Sequence, residues 1–325
     1  MAGMGLAREE IEHWNAHGYV VVRGALEPGD LAPMIADYEA IVEDRAQELL
    51  SAGRIKNTYA GEPFDTRFAR ICEMDSGFSS SHLDEFLDIG HGTARGQTRG
   101  TFELMRCPRL MAIIEPILGS PEIGWSPISH VRAKLPAAIS AESNVAGWHQ
   151  DAIFVTEDAD DNFLLTVWLP VTEASVEMGC LEIMPGTHAE KTVYWHSPGQ
   201  DGMGQNLPRR PTVHEPVSPG DVILLHKLCP HGSGPNHSDK VRWSMDMRYT
   251  LAGLPSGRDC WPAFTAQSRV EEPHSYDDWR RRWQQALELW PQRQGRQITP
   301  EGPVPYTGAP PSTAGGPCTR HAASH

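Results

Sequence analysis

The chain is short of basic charge. Lys and Arg together number 28 against 42 Asp and Glu, a formal charge of −14 over 325 residues. Without a basic face there is no source for counterion release, which excludes non-specific binding to nucleic acid. Docking on anionic membranes loses its attraction for the same reason. Paired cysteines are also missing. Cys72, Cys107, Cys180, Cys229, Cys260 and Cys318 form no CxxC and have irregular spacings, which argues against a zinc ribbon or a dense disulfide framework. They read as reduced thiols of a cytoplasmic protein. Long apolar runs are absent. Residues 19–22 and 222–225 are strand-length, so no membrane span is expected. Residues 1–10 have no apolar signal core, and residues 322–325 match no receptor-read address. No internal repeat and no strong linker divides the chain, whose length fits one large domain or two small ones.

What is present is an ordinary globular mix, 39% hydrophobic and 22% charged, with 15 His and 10 Trp. Residues 8–17 predict a short helix stopped by Gly18, followed by a β-branched strand over 19–22. Leu31, Met34, Ile35, Tyr38, Ile41, Val42, Leu49 and Leu50 follow a helical period, with Gly53 as the stop. A further helix starts with Pro108 in its first turn and ends at Gly119, with Leu110, Ile113, Ile114, Ile117 and Leu118 as its stripe. Residues 56–99 have too weak a period to assign. From 123 onward short strands alternate with Gly and Pro, over 128–134, 163–169, 181–184, 212–217, 221–226 and 241–250, a texture of a sandwich or barrel. In the last of these, Val241, Trp243, Met245, Met247 and Tyr249 share one face, and Arg242, Ser244, Asp246, Arg248 and Thr250 the other. The polar face fits either solvent or the wall of a site. A closing helix, capped by Ser275, carries Tyr276, Trp279, Trp283, Leu287 and Trp290 and should pack outside the barrel. Residues 299–325, rich in Pro, Gly, Ala, Ser and Thr, predict a flexible tail.

The sharpest local feature is His149-Gln150-Asp151. On a strand, residues two apart face the same side, so an imidazole and a carboxylate would project together. His231, followed by Gly232-Ser233-Gly234-Pro235-Asn236, is the best third ligand. His226, ending the preceding strand, competes with it. Two imidazoles and one carboxylate on one face of an ion form the triad of non-heme Fe(II) oxygenases and leave the opposite face open. Arg242, eleven residues after His231, offers a two-pronged partner for the far carboxylate of a 2-oxo acid, and Ser233 a supporting hydroxyl. Without that arginine, zinc would be a serious rival.

These segments resemble the phytanoyl-CoA dioxygenase family. The resemblance rests on His149-Gln150-Asp151, Trp168-Leu169-Pro170, Gly179-Cys180-Leu181, Met184-Pro185-Gly186-Thr187-His188, and His231 to Asn236 with Arg242. The opening Gly18-Tyr19-Val20-Val21-Val22-Arg23-Gly24 resembles that family's opening strand. The likeness spans 11–249 and implies a mainly β fold with flanking helices, a double-stranded β-helix or jelly-roll core. It implies helices over 1–122, a core over 123–250 and a C-terminal helix within 251–298, forming one domain over 1–298. It further implies Fe(II) held by His149, Asp151 and His231, with 2-oxoglutarate as co-substrate and O2 as oxidant. Arg242 would pair with the distal carboxylate, Ser233 and Trp168 would line that pocket, and His130 would lie near it, with Lys134 on the same strand a weaker contact. Halogenating relatives replace the iron carboxylate by a small residue; Asp151 therefore favours hydroxylation or a related C–H oxidation of a small molecule.

Other residues have plainer readings. His188 sits in the family's recurrent turn and reads as structural, as does Trp148 beside His149. Arg248 fits either a substrate anion or an ion pair with Asp246. The segment 189–210 is long for a loop in a barrel and reads as part of a lid, with Tyr194 and Trp195 as contacts. Arg280–Arg282 reads as a solvated helix face. Other classes to weigh are a zinc hydrolase or cupin-like dioxygenase on the same fold, and a non-catalytic binding relative.

Overall fold

Glycine and proline punctuate the helical half of the chain as their chemistry dictates. The computed structural model describes residues 5–78, 83–87, 95–140, 146–155, 157–159, 161–195, 202–258 and 261–289, with strand segments at 295–297, 303–305 and 313–316. Helix α1 (Arg8–His17) ends at Gly18, which takes φ 75°, and the chain turns straight into strand β1 (Tyr19–Val22). A Cβ at Gly18 would lie 2.4 Å from His188 Nδ1, so that turn needs glycine twice over. His188 is thereby placed as a packing residue. Helix α2 (Pro28–Ser51) buries Leu31, Met34, Tyr38, Ile41, Val42, Ala46 and Leu49 at three- and four-residue intervals, while Leu50 is left exposed. Residues 56–99 hold α3 (Phe64–Met74), α4 (Leu83–Leu87) and the start of α5 (Arg99–Met105). Their buried stripes, such as Phe68, Ala69, Ile71 and Cys72, are too short to give a clear period. Helix α6 (Pro108–Leu118) has proline in its first turn and left-handed Gly119 at its end.

The remaining strands are β2 (Ile123–Lys134), β3 (Ala146–His149), β4 (Leu165–Pro170), β5 (Leu181–Ile183), β6 (Thr192–Tyr194), β7 (Val213–Glu215), β8 (Val222–His226), β9 (His231–Ser233), β10 (Arg242–Leu251) and β11 (Phe264–Gln267). With β1, all of these but β6 build a six-stranded sheet, β1-β8-β4-β10-β2-β11, and a four-stranded sheet, β3-β9-β5-β7. Every pairing within the two is antiparallel. This is the jelly-roll with flanking helices. Its large sheet draws on more chain than 123–250: β1 from the N-terminal part and β11 from the C-terminal part supply its two edge strands. The final helix, α7 (Tyr276–Leu289), starts at Ser275, whose Oγ accepts from the Asp278 amide at 3.2 Å. Trp290, Cys260 and Cys318 lie outside the described residues. So does most of 299–325, from which Pro303–Pro305 pairs with β6.

Strand alternation sorts the large sheet into two environments. On β8, Val222 and Leu224 join the core under the helices, whereas Ile223 and Leu225 face the second sheet. On β4, Leu165, Val167 and Leu169 go to the helices, and Trp168 goes inward. On β10 Trp243, Met245, Met247 and Tyr249, with Val241 just before the strand, pack under the helices. Each such side chain contributes about 1.5–3 kcal/mol on full burial. Trp279 and Trp283 of α7 complete that layer, with Trp125 and Phe264 stacked at 4.9 Å beneath them. The polar face of β10 is buried too, inside the barrel. Among the described residues no helix is long and apolar enough to cross a membrane.

Candidate active site

His149 ends β3 and His231 begins β9, and the two strands pair with these residues opposite each other. Opposed residues on an antiparallel pair stand close, and the two rings lie 4.3 Å apart between centroids. Asp151 is not on the strand. The expectation that alternation would project His149 and Asp151 together is corrected: after extended Gln150, Asp151 opens a 3-10 turn, Asp151–Phe154. Gln150 explains the departure. Its buried amide donates to the carbonyls of Thr192 and Leu228 and accepts from the Tyr194 amide, which anchors the chain outside the β3–β9 ladder. The turn still brings the carboxylate home. His149 Nε2 and His231 Nε2 each lie 4.0 Å from an Asp151 oxygen, and one donor atom from each of the three falls within 4.8 Å of the others.

The local chemistry suits a metal ion. His149 Nδ1 donates to the Gly147 carbonyl at 2.7 Å, and His231 Nδ1 to the Cys229 carbonyl at 3.1 Å. The same i−2 bond in both rings places the proton on Nδ1 and leaves each Nε2 lone pair bare toward Asp151. Burial, reinforced by neighbouring His231, pushes the His149 pKa down to about 3, so the imidazole is neutral, as a ligand must be. Burial works to raise the Asp151 pKa, but Arg248 and the two imidazoles outweigh it and hold the carboxyl below its usual range. Arg248 Nη2 donates to Asp151 Oδ1 at 2.7 Å, and Thr166 Oγ1 donates to Oδ2. His226 is no rival. It accepts from the Leu228 amide and packs among Trp14, Phe163 and His188.

A cationic recess adjoins this cluster. Arg242 lies inside the barrel, its Cζ 5.3 Å from the Trp168 ring centre, with a guanidinium bond to the Gly179 carbonyl. Gly179 has φ 68°, and a Cβ there would lie 2.4 Å from the Gly234 carbonyl oxygen, so only glycine lets the two loops meet behind the arginine. Ser233 stands beside it and accepts from Lys134 Nζ at 2.7 Å. Arg242 Nε is buried without a partner among the described residues. His149, His231, Arg242, Ser233, Trp168 and His130 all line one partly open cavity. His130 meets Asp246 (Nδ1 to Oδ2, 3.0 Å), and burial lowers its pKa to about 4.

Several residues beyond the sequence-based set line or brace the site. Asp246 is the hub of a buried network, reached by Arg248 Nη1, His130 Nδ1 and Arg132 Nε. Arg248 thus bridges Asp246 and Asp151, an ion pair rather than a free anion receptor. Thr166, Arg132 and Phe154 carried no motif signal; only the alternating polar positions of β10 pointed here. Tyr194 and Trp195 are not among the cavity-lining residues. Tyr194 bonds Glu190, and Trp195 packs with Ala152, Ile153 and Leu228. Residues 196–201 of the expected lid lie outside the described residues.

A jelly-roll with two bared imidazole nitrogens and a carboxylate converging in its interior is the architecture of mononuclear non-heme metal proteins. The chain belongs to the phytanoyl-CoA dioxygenase family, whose profile matches residues 14–244. A phytanoyl-CoA dioxygenase domain-containing protein 1 homolog of Caenorhabditis elegans is 31% identical over 140 residues, 39% of this chain and 46% of that protein. The match thus spans about half the length of that curated relative. The 1-deoxypentalenic acid 11-beta-hydroxylase of Streptomyces exfoliatus is 25% identical over 78% of this chain and 86% of its own length. Among solved structures, the epimerase SnoN in complex with Fe3+, alpha ketoglutarate and nogalamycin RO aligns with TM-score 0.50 at 22% identity, over 77% of this chain and 86% of that one. That likeness is one of fold.

Proposed function

We propose that this chain is an Fe(II)- and 2-oxoglutarate-dependent dioxygenase that oxidises an unactivated C–H bond of a small organic molecule, with hydroxylation as the outcome. The observation that carries the reading is the convergence of two imidazoles and a carboxylate beside a cavity that a buried guanidinium with an unfilled donor also lines. His149, Asp151 and His231 would hold the iron. With iron bound, R–H, O2 and 2-oxoglutarate are converted to R–OH, succinate and CO2.

The protein residues have separate tasks. Arg242 pairs with the distal carboxylate of 2-oxoglutarate, Ser233 supports it, and the Trp168 ring covers it. Thr166 and Arg248 each hold one oxygen of Asp151, which fixes the carboxylate and favours its ionised form. Buried walls exclude bulk water. Arg242 weighs against a zinc hydrolase, whose chemistry has no use for a dicarboxylate anchor. Family membership and the 1-deoxypentalenic acid 11-beta-hydroxylase among the relatives support a place in secondary metabolism or small-molecule catabolism. The free, buried thiols of Cys72, Cys107, Cys180 and Cys229 support a cytoplasmic setting. One unit over 1–298 fits the way β1 and β11 close the same sheet.

The test is direct. Protein loaded anaerobically with Fe(II) should bind 2-oxoglutarate with a new visible absorption band and, on exposure to O2, release succinate. No band and no succinate above a protein-free control would overturn the proposal.

A further inference from the structure

The inner face of β2 carries His130, Arg132 and Lys134 at alternate positions, opposite Asp246, Ser244 and Arg242 of β10. Lys134 is spent on Ser233 Oγ and the Gly234 carbonyl, and His130 Nδ1 meets Asp246. Arg132 differs. Its Nε donates to Asp246 Oδ1 at 3.0 Å, but its two terminal nitrogens make no hydrogen bond among the described residues. The side chain lines the same cavity as the metal cluster and is 30% exposed, so this fork stands where solvent enters.

The charges around it are unequal. Three guanidinium groups line the cavity, Arg132, Arg242 and Arg248, against one lining carboxylate, Asp246, and the adjoining carboxylate of Asp151 bonded to Arg248. Adding a divalent metal and a dianionic co-substrate leaves that difference unchanged. Arg248 is held between both carboxylates, and Arg242 is the co-substrate anchor of the proposed reaction. The surplus therefore falls on Arg132; burial first, and then the nearby charge of Arg132, lowers the Arg242 pKa. Both carboxylates are already engaged: Asp246 Oδ1 by Arg132 and Oδ2 by His130 and Arg248, Asp151 by Arg248 and Thr166. Among the described residues that line the cavity, a cationic substrate would find no unengaged carboxylate. Apolar surface is supplied by Ile128, Phe154 and Leu181.

Resting on the proposed reaction, we infer that Arg132 anchors the substrate through an anionic head group, and that the substrate is a small monoanionic acid with an apolar body. A guanidinium fork matches a carboxylate or a singly charged phosphonate with two parallel bonds. Anchoring at the mouth turns the apolar body toward the walls beside the metal cluster.

The test uses protein loaded with Zn(II) and 2-oxoglutarate, titrated with aliphatic and alicyclic monocarboxylic acids and with the primary amide of each. The best acid should bind about 30-fold or more tightly than its amide. Arg132→Met should abolish that preference, Arg132→Lys should restore part of it, and 2-oxoglutarate affinity should stay within a factor of two or so in both. With Fe(II) and O2, the same acid should raise succinate release in the wild type and fail to do so in Arg132→Met at equal concentration, the loss appearing in KM. If no acid outbinds its amide, if the preference survives in Arg132→Met, or if that variant loses 2-oxoglutarate instead, the assignment is overturned. Failure of wild-type protein to bind 2-oxoglutarate tells against the dioxygenase reading itself and is scored before any acid is added.

Discussion

The two faces of β10 are equally buried and chemically opposite. One presents Trp243, Met245, Met247 and Tyr249 to the helices; the other presents Arg242, Ser244, Asp246 and Arg248 to the barrel interior. The first is held by area removed from water. The second survives burial only because its charges are paired with one another and with Asp151, His130 and Arg132. Charged groups are rarely buried for stability alone, since desolvation cancels most of the attraction. An alternating strand with both faces buried therefore marks a scaffold on one side and chemistry on the other.

The contrast can be broken from either side. The largest effect is expected from Trp243→Ala, which should cost about 3–5 kcal/mol in urea denaturation while the folded fraction keeps its metal affinity. Asp151→Ala should do the reverse. Mn(II) affinity, followed by electron paramagnetic resonance, should fall more than about 100-fold and succinate release should vanish, with helix content unchanged by circular dichroism. Arg242→Gln should weaken 2-oxoglutarate about 100-fold by calorimetry and leave metal affinity alone, because its partner is the co-substrate carboxylate. If metal and co-substrate affinities fell together, the division of labour drawn for the inner face would be wrong.

The smallest effect sharpens the comparison from the helix side, at a half-buried histidine. His226, among Trp14, Phe163 and His188, has its pKa pushed down to about 3, first by burial and then by His188 and Lys227. The unfolded imidazole titrates near 6.5, so between about pH 6.5 and 3 the unfolded chain binds the extra proton. Stability should decline as pH falls through that window. His226→Asn, which keeps an acceptor for the Leu228 amide, should flatten the decline in thermal midpoints measured from pH 7 to 4.

Periodic elements were legible in the sequence. Helices α2, α6 and α7 and strands β8 and β10 fall where their spacing puts them, because an amphipathic stripe and its Gly, Pro or Ser punctuation are local. The helices within 56–99 were not, since short stripes crossed by charges carry little periodic signal. His149, Asp151, His231 and Arg242 could be selected from motif spacing, yet the reason given for His149 and Asp151 sharing a side was a strand, and the chain uses a turn anchored by Gln150. Arg132, Thr166 and Asp246 sat in no motif. Their roles depend on which strands lie side by side.

By itself the sequence determined the class of fold, the family and the set of donor atoms, because these rest on residue type and on spacing along one chain. Only the tertiary structure decided between His226 and His231, turned the polar face of β10 inward, and tied Arg248 to both Asp151 and Asp246. The physical reason is the antiparallel register. Pairing β3 with β9 sets two distant imidazoles ring to ring, and pairing β10 with β2 and β4 gathers Arg132, Thr166, Asp246 and Arg248 into one network.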